Sequence, residues 1–199
     1  MTATLQLSDA QTQRLADFNN PFKMWLWSLT TLPAAWFMGV RVKLVTAERG
    51  EVTLPYAWRS QNPFKSIYFA AQAAAAEMST GALCIVALEG RGKISMLVSH
   101  IEMEFTKKAT SLTTFTCEQG AEAFDTIERA VQTKQPQTIT MVSKASAPCS
   151  QVKVVKDVAF LVNSISILLT NIEILPRPSN ATMHNAPVDI SAAAACAAK

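Results

Sequence analysis

Cysteine is scarce and scattered. Cys84, Cys117, Cys149 and Cys196 form no CxxC pair and no Cys/His cluster. That excludes a disulfide framework and a zinc site of the usual spacing, and a reduced, cytoplasmic compartment is the expectation. No basic block occurs either. The 18 basic and 15 acidic residues leave a net charge of +3, which argues against nucleic acid as the main partner. Met1 to Asn20 is polar and Gln/Thr-rich, without the basic, apolar and small-residue series of a signal peptide. Pro21 to Gly39 is apolar, but Lys23 and Pro33 interrupt it and it falls short of a membrane span. It also lacks the Lys/Arg-rich polar face of a membrane-surface helix. Glu89–Lys93 (EGRGK) has too few residues between its glycines, and no Ser/Thr after the lysine, to be a phosphate-binding loop. No Ser or Cys nucleophile motif accompanies His100, which reads as a half-exposed strand residue. No internal repeat is apparent.

What is present suffices for a core. A chain of 199 residues with 49% hydrophobic side chains supports one domain with tails. Its expected extents are a polar segment over 1–20, a domain over 21–175 and a mobile tail over 176–199, whose sequence has no usable period. Phe22 to about Leu32 reads as an amphipathic helix ending in a turn at Pro33, with Trp25, Trp27, Trp36 and Phe37 as a lid on the core. Val40, Val42 and Leu44 alternate with Arg41 and Lys43. After a turn at Glu48–Gly50, Val52, Leu54, Tyr56 and Trp58 alternate again, so a hairpin with one buried face is predicted.

The central stretch is Asn62 to Gly81, NPFKSIYFAAQAAAAEMSTG. Its alanines give high helix propensity from Ser66 on, with Ser66 as N-cap and Gly81 as a C-terminal stop, although the apolar run continues through Ala82–Leu88. Glu77 is the one charged residue between Lys65 and Glu89. A carboxylate in such a helix needs a partner, water or a task, because unpaired burial is costly. It would then carry a raised pKa, as general acids and bases do. A solvated or salt-bridged glutamate is the alternative.

Further strands are expected over Lys93–Lys107, Ser111–Glu118, Gln137–Ala145 and Gln151–Leu169, the last interrupted near Lys156–Asp157. In the first of these, Leu97, Ile101, Met103 and Phe105 share one face. A helix over Gly120–Gln135 presents Phe124, Ile127 and Val131 and stops at Pro136. One long helix among mostly antiparallel strands makes an α+β domain, the sheet curled around the helix. Such a sheet leaves faces and edges open, so self-association is expected.

The run from Asn62 through Tyr68–Phe69–Ala70 to Glu77 and Gly81, with the strands after it, resembles the hotdog-fold thioesterases. It is most similar to their DUF4442 branch, over roughly 21–175. In the thioesterase pattern an Asn precedes a Gly and a His-Gly-Gly, with Asp or Glu nine residues after the His. Asn62 stands at the Asn position and Glu77 at the acid position. Tyr68 stands in place of the His, Phe69 and Ala70 in place of the two glycines, and Lys65 in place of the earlier Gly.

The resemblance implies a hotdog fold and an acyl-CoA thioesterase-like hydrolase that needs no metal or cofactor. Glu77 would act as base for water, with Asn62 orienting water or carbonyl. The amides near Tyr68, Phe69 and Ala70 at the helix N-terminus would receive the oxyanion. Nine residues along a helix separate Tyr68 from Glu77 by roughly 13 Å and half a revolution. A homodimer, or a dimer of dimers, would bring the two halves together across a two-fold axis. Arg91, Lys93, Lys107 and Lys108 flank strand ends and would meet CoA phosphates; as solvated surface charges they would have no role. A non-catalytic acyl-thioester or lipid-binding hotdog protein is the alternative function, and a purely structural dimer a third.

Overall fold

The computed structural model describes residues 6–92 and 94–147 in full and the backbone of 158–168. The elements run α1 (Asp9–Phe18), α2 (Pro21–Thr31), α3 (Pro33–Met38), β1 (Arg41–Val45), β2 (Gly50–Leu54), α4 (Phe69–Leu88), β3 (Ser95–Val98), β4 (Thr113–Cys117), α5 (Gly120–Thr133), β5 (Gln137–Ser146) and β6 (Val158–Leu168). The strands form one sheet in the order β1-β2-β4-β5-β6-β3, and each neighbouring pair is antiparallel. This is the predicted α+β architecture, a long central helix wrapped by an antiparallel sheet.

α4 organises two apolar clusters along its length. Ala71, Ala75 and Ala76 pack with Val52, Leu54, Ile67 and Phe115 at its N-terminal half. Leu83, Cys84 and Val86 pack with Phe18, Phe124, Ile127 and Met141 at the other. Small side chains let the sheet come close. A Cβ on Gly50 would lie 2.3 Å from the Ser79 carbonyl oxygen, so only glycine fits where β2 crosses α4. Ser79 and Ser143 satisfy each other's buried hydroxyls at 2.7 Å. α4 is long and apolar enough to cross a membrane, yet 67% of its apolar window is buried inside the fold. It is the core helix of this domain.

Several local expectations change. The polar N-terminal stretch contains a helix, α1, closed by a Ser8/Gln11 capping box. The Gln11 side chain is buried and donates through Nε2 to the Ala87 carbonyl at 3.2 Å, docking α1 on the end of α4. Pro33 is the first residue of α3 rather than only a turn. Trp25 and Phe37 remain exposed, so the aromatic lid covers the core only in part, through Trp27. In β1 a bulge between Val42 and Leu44 resets the alternation. Val45 is buried instead, and Leu44 is 39% exposed. β2 ends before Pro55, leaving Trp58 in a loop.

α4 starts at Phe69, three residues after the expected cap, and passes through Gly81 to Leu88. The packing of its C-terminal half overrides the helix-breaking tendency of one glycine. The long strand expected over Lys93–Lys107 shrinks to Ser95–Val98, and Leu97 is 65% exposed. Within it Met96 and Val98 are the half-buried pair, and residues 99–107 are not strand. The start of the last expected strand, Lys156–Asp157 and the 176–199 tail lie outside the described residues.

Candidate functional site

The loop from Pro55 to Tyr68 builds the mouth of a cleft. Asn62 Oδ1 accepts from the amides of Phe64 (3.0 Å) and Ser66 (3.2 Å) and from Ser66 Oγ (3.2 Å). One side-chain oxygen thus folds residues 62–66 into a tight turn. Lys65 takes φ 56° inside it, a left-handed conformation that glycine adopts without steric cost. This is the position at which the thioesterase pattern that the stretch resembles carries Gly. Gln61 bridges to Ile67, and the Ile67 amide donates to the Ala109 carbonyl at 2.8 Å. These bonds draw the 105–109 segment to the start of α4.

The resulting cleft holds about 590 Å³. Asn62, Tyr68, Phe69, Gln72, Phe105 and Lys107 are among its walls. Five candidates from the sequence, Asn62, Tyr68, Phe69, Lys107 and Lys108, therefore line one cavity. Lys107 and Lys108 are exposed at its rim, and Lys108 Nζ donates to the Phe64 carbonyl at 3.3 Å. Gln72 was not singled out by the sequence. It is buried, and its Nε2 donates to the Ile67 carbonyl at 3.0 Å, so it braces the cleft floor one turn into the helix. Its signal was present: a lone amide among alanines.

Of the three amides expected to receive an oxyanion, one is not free. The Tyr68 amide is taken by the Ser60 carbonyl at 2.7 Å. The helical ladder begins with the amides of Ala71 and Gln72, which both bond to the Tyr68 carbonyl. The amides of Phe69 and Ala70 make no hydrogen bond among the described residues. They are the free donors at the positive end of α4.

Glu77 is not in the cleft wall. It lies on the half-exposed stripe of α4 with Ala70, Ala73, Ala74 and Gly81, and its carboxylate has no hydrogen-bond or ion-pair partner among the described residues. The residue is exposed in the single chain, as the solvated alternative has it, so the burial expected for it is not found. The protein around it still desolvates the charge and raises its pKa.

Arg91 lies elsewhere, paired with Glu128 of α5 at 2.6 Å, and Lys93 falls outside the described residues. His100 is exposed in the segment after β3 and does not line the cleft. A smaller cavity of about 270 Å³ beside α1 and α2 holds Arg14, Asp17, Lys23 and Trp27. It gathers none of the candidates, and its three charges are already ion-paired with one another or with Glu89.

The sequence profile of the family described as a domain of unknown function, DUF4442, matches residues 25–159. The chain belongs to the DUF4442 family. No curated protein matches it. Among solved structures it is similar to a protein of unknown function from Chlorobaculum tepidum TLS, at 15% identity and a TM-score of 0.64, over 78% of this chain and 98% of that one. A Pseudomonas aeruginosa protein described as a probable thioesterase aligns at 17% identity and 0.57, over 74% and 93%. A candidate thioesterase from Shewanella oneidensis aligns at 11% and 0.60, over 80% and 99%. At these identities the likeness shows the fold alone, and that fold is the hotdog.

Proposed function

We propose that this chain is an acyl-CoA thioesterase-like hydrolase acting as a homodimer. The observation that carries the reading is the cleft at the start of α4, where Phe69, whose amide is unbonded, lines a cavity with Asn62 and the rim lysines, and the unbonded amide of Ala70 follows it. The thioester carbonyl oxygen would accept from the Phe69 and Ala70 amides, which hold the charge that develops on it. The partner subunit's Glu77 would take a proton from water as the oxygen attacks the carbonyl carbon. Collapse of the tetrahedral oxyanion would break the C–S bond, and the thiolate would leave as CoA, giving a carboxylic acid. Asn62 has spent its Oδ1 on its own turn, so only its Nδ2 hydrogens remain to orient water or carbonyl.

The two-fold assembly follows from α4 itself. Glu77 sits roughly 10–12 Å along the axis from the free amides of Phe69 and Ala70, on the half-exposed stripe and outside the wall of its own cleft. A second copy packed on the half-exposed stripe would bring the acid to the amides. Lys107 and Lys108 supply cations at the rim for the phosphates of a CoA ester.

One observation favours a second reading, a non-catalytic acyl-thioester binder. Tyr68 stands where the related pattern has an imidazole, and among the described residues no histidine lines the cleft. The deciding experiment is hydrolysis of acyl-CoA esters across chain lengths beside a direct binding measurement. Turnover that Glu77→Gln abolishes supports the hydrolase. Tight binding without turnover selects the binder.

A further inference from the structure

Four of the described arginines have their guanidiniums engaged by acidic or hydroxyl side chains. Arg14 pairs with Glu89, Arg49 with Glu51, and Arg91 with Glu128, while Arg129 bonds Thr126 Oγ1. Arg41 and Arg59 differ. Among the described residues neither has an ion pair, yet both guanidiniums sit at the same turn. Arg41 Nη1 donates to the carbonyls of Trp36 (3.2 Å) and Val40 (2.7 Å) at the end of α3. A Cβ on Gly39 would stand 3.3 Å from Arg59 Nη2, so the second guanidinium lies against the same backbone. Their proximity has a cost: after burial, the charge of Arg59 is what lowers the pKa of Arg41. Two like charges left together without a carboxylate are an arrangement that an anion would relieve.

An aromatic surface adjoins them. Trp58, the residue before Arg59, is 75% exposed, and its ring meets Phe37 edge to face at 5.7 Å. An exposed indole beside two guanidiniums offers a face for a base and donors for a phosphate. The location matters as well. Arg59 is one residue from Ser60, whose carbonyl holds the Tyr68 amide at 2.7 Å. The arginine pair is therefore tied by one short loop to the free amides of α4.

We propose that Arg41, Arg59 and the Trp58–Phe37 pair form a subsite for the phosphorylated adenine nucleotide end of a CoA thioester. Arg59, with Arg41 behind it, takes a phosphate, and the adenine lies on the Trp58 indole. The pantetheine arm runs over the 58–68 loop into the cleft. This rests on the acyl-CoA reading and adds to it where the nucleotide is held.

The test uses the full chain and adenosine 3′,5′-bisphosphate, a probe with the nucleotide but no thioester, titrated by calorimetry. Saturable binding that weakens with salt is expected, and Arg59→Gln or Trp58→Ala should weaken it by on the order of 10- to 100-fold. Arg41→Lys, which keeps charge but loses the planar fork, should weaken it less. In hydrolysis, Arg59→Gln should raise KM for an acyl-CoA and leave KM for the matching acyl-pantetheine unchanged. Unaltered bisphosphate affinity in Arg59→Gln overturns the subsite, as does binding that depends on Lys107 instead. A lowered Tm with unchanged affinity overturns it too, because the pair then serves only α3. The hydrolase reading fails separately: a wild-type chain that hydrolyses neither ester but loses bisphosphate binding in Arg59→Gln keeps the subsite and loses the reaction.

Discussion

The carbonyl of Ser60 holds the amide of Tyr68 at 2.7 Å. Because that amide is occupied, the free donors of α4 begin one residue later, at Phe69. The bond also fixes the loop whose other anchor is Asn62, so loop and donors are set as one unit.

Asn62 is the first place to test that unit. Its Oδ1 accepts three hydrogen bonds within residues 62–66. Asn62→Ala should destabilise the domain by about 1–2 kcal/mol and lower turnover as the cleft mouth loosens. Asn62→Asp keeps the acceptor and should retain the fold, while losing the Nδ2 donor. Thermal unfolding and turnover measured on both variants separate the structural role from the chemical one. Equal turnover in Asn62→Asp and wild type would confine Asn62 to the loop.

Two glycines in or against α4 should respond with opposite sign. Gly50→Ala drives a Cβ to 2.3 Å from the Ser79 carbonyl oxygen, so β2 and α4 must separate at a cost of about 1–3 kcal/mol. Gly81 is mid-helix, and a Cβ there meets nothing within 4 Å in the single chain. Gly81→Ala should stabilise the protomer by about 0.5–1 kcal/mol. Denaturant midpoints measure both; a destabilised Gly81→Ala would show that the stripe is closely packed in the assembly.

Cys84 and Cys117 should resist thiol reagents. Burial pushes their pKa up to about 12 and about 11, and Cys84 Sγ lies 3.5 Å from Met141 Sδ in the core. On the order of 0.01% thiolate or less is expected at neutral pH. Mass mapping after brief alkylation should find both unmodified until denaturant is added. Rapid labelling of either in the folded chain would contradict the packing around α4.

The elements of this fold were legible where periodicity and burial coincide. The hairpin, α5 with Phe124 and Ile127, and the alanine helix all follow from spacing. What escaped depends on partners far along the chain. Leu44 is turned outward by a bulge that no alternation encodes. Gly81 stays helical because Ala82 to Ala87 are packed by α1, α5 and the sheet. Leu97 stays exposed because β3 is a four-residue edge strand, paired only with β6 among the described residues. The site was half legible. Asn62 and Glu77 stood out by type and spacing, whereas the loss of the Tyr68 amide to Ser60 and the bracing by Gln72 needed the loop's path.

Glu77 should set a pH dependence in both activity and stability. Desolvation raises its pKa above the ordinary 4.5, so the folded state binds the proton more tightly than the unfolded state. Stability then falls as pH rises from about 4.5 through the folded pKa, and the loss persists above it. Glu77→Gln removes that loss: it should be as stable as wild type or more so at neutral pH, with the difference closing in acid. As the base it must be ionised, so turnover should rise with pH through the same raised pKa. Glu77→Gln should lose on the order of 10²–10⁴-fold in turnover. Glu104→Gln serves as control. A variant at parental rate removes Glu77 from the mechanism.

Whether the acid and the amides come from different subunits can be decided by mixing two defective chains. Phe69 is the first residue of α4 and Tyr68 before it has φ −64° and ψ 136°, a conformation compatible with a following proline. Phe69→Pro should therefore fold while deleting one free N–H, costing on the order of 10²–10³-fold in turnover. Glu77→Gln keeps its amides and loses the base. In a heterodimer of the two, one site combines the intact amides of the Glu77→Gln chain with the intact Glu77 of the Phe69→Pro chain. Equal co-expression with two tags should make half the dimers mixed, each with one working site of two, restoring roughly a quarter of wild-type activity. If each cleft used its own Glu77, both sites of the mixed dimer would be broken and no activity would return. A monomeric mass at micromolar concentration, with activity retained, would contradict the shared site from the other side.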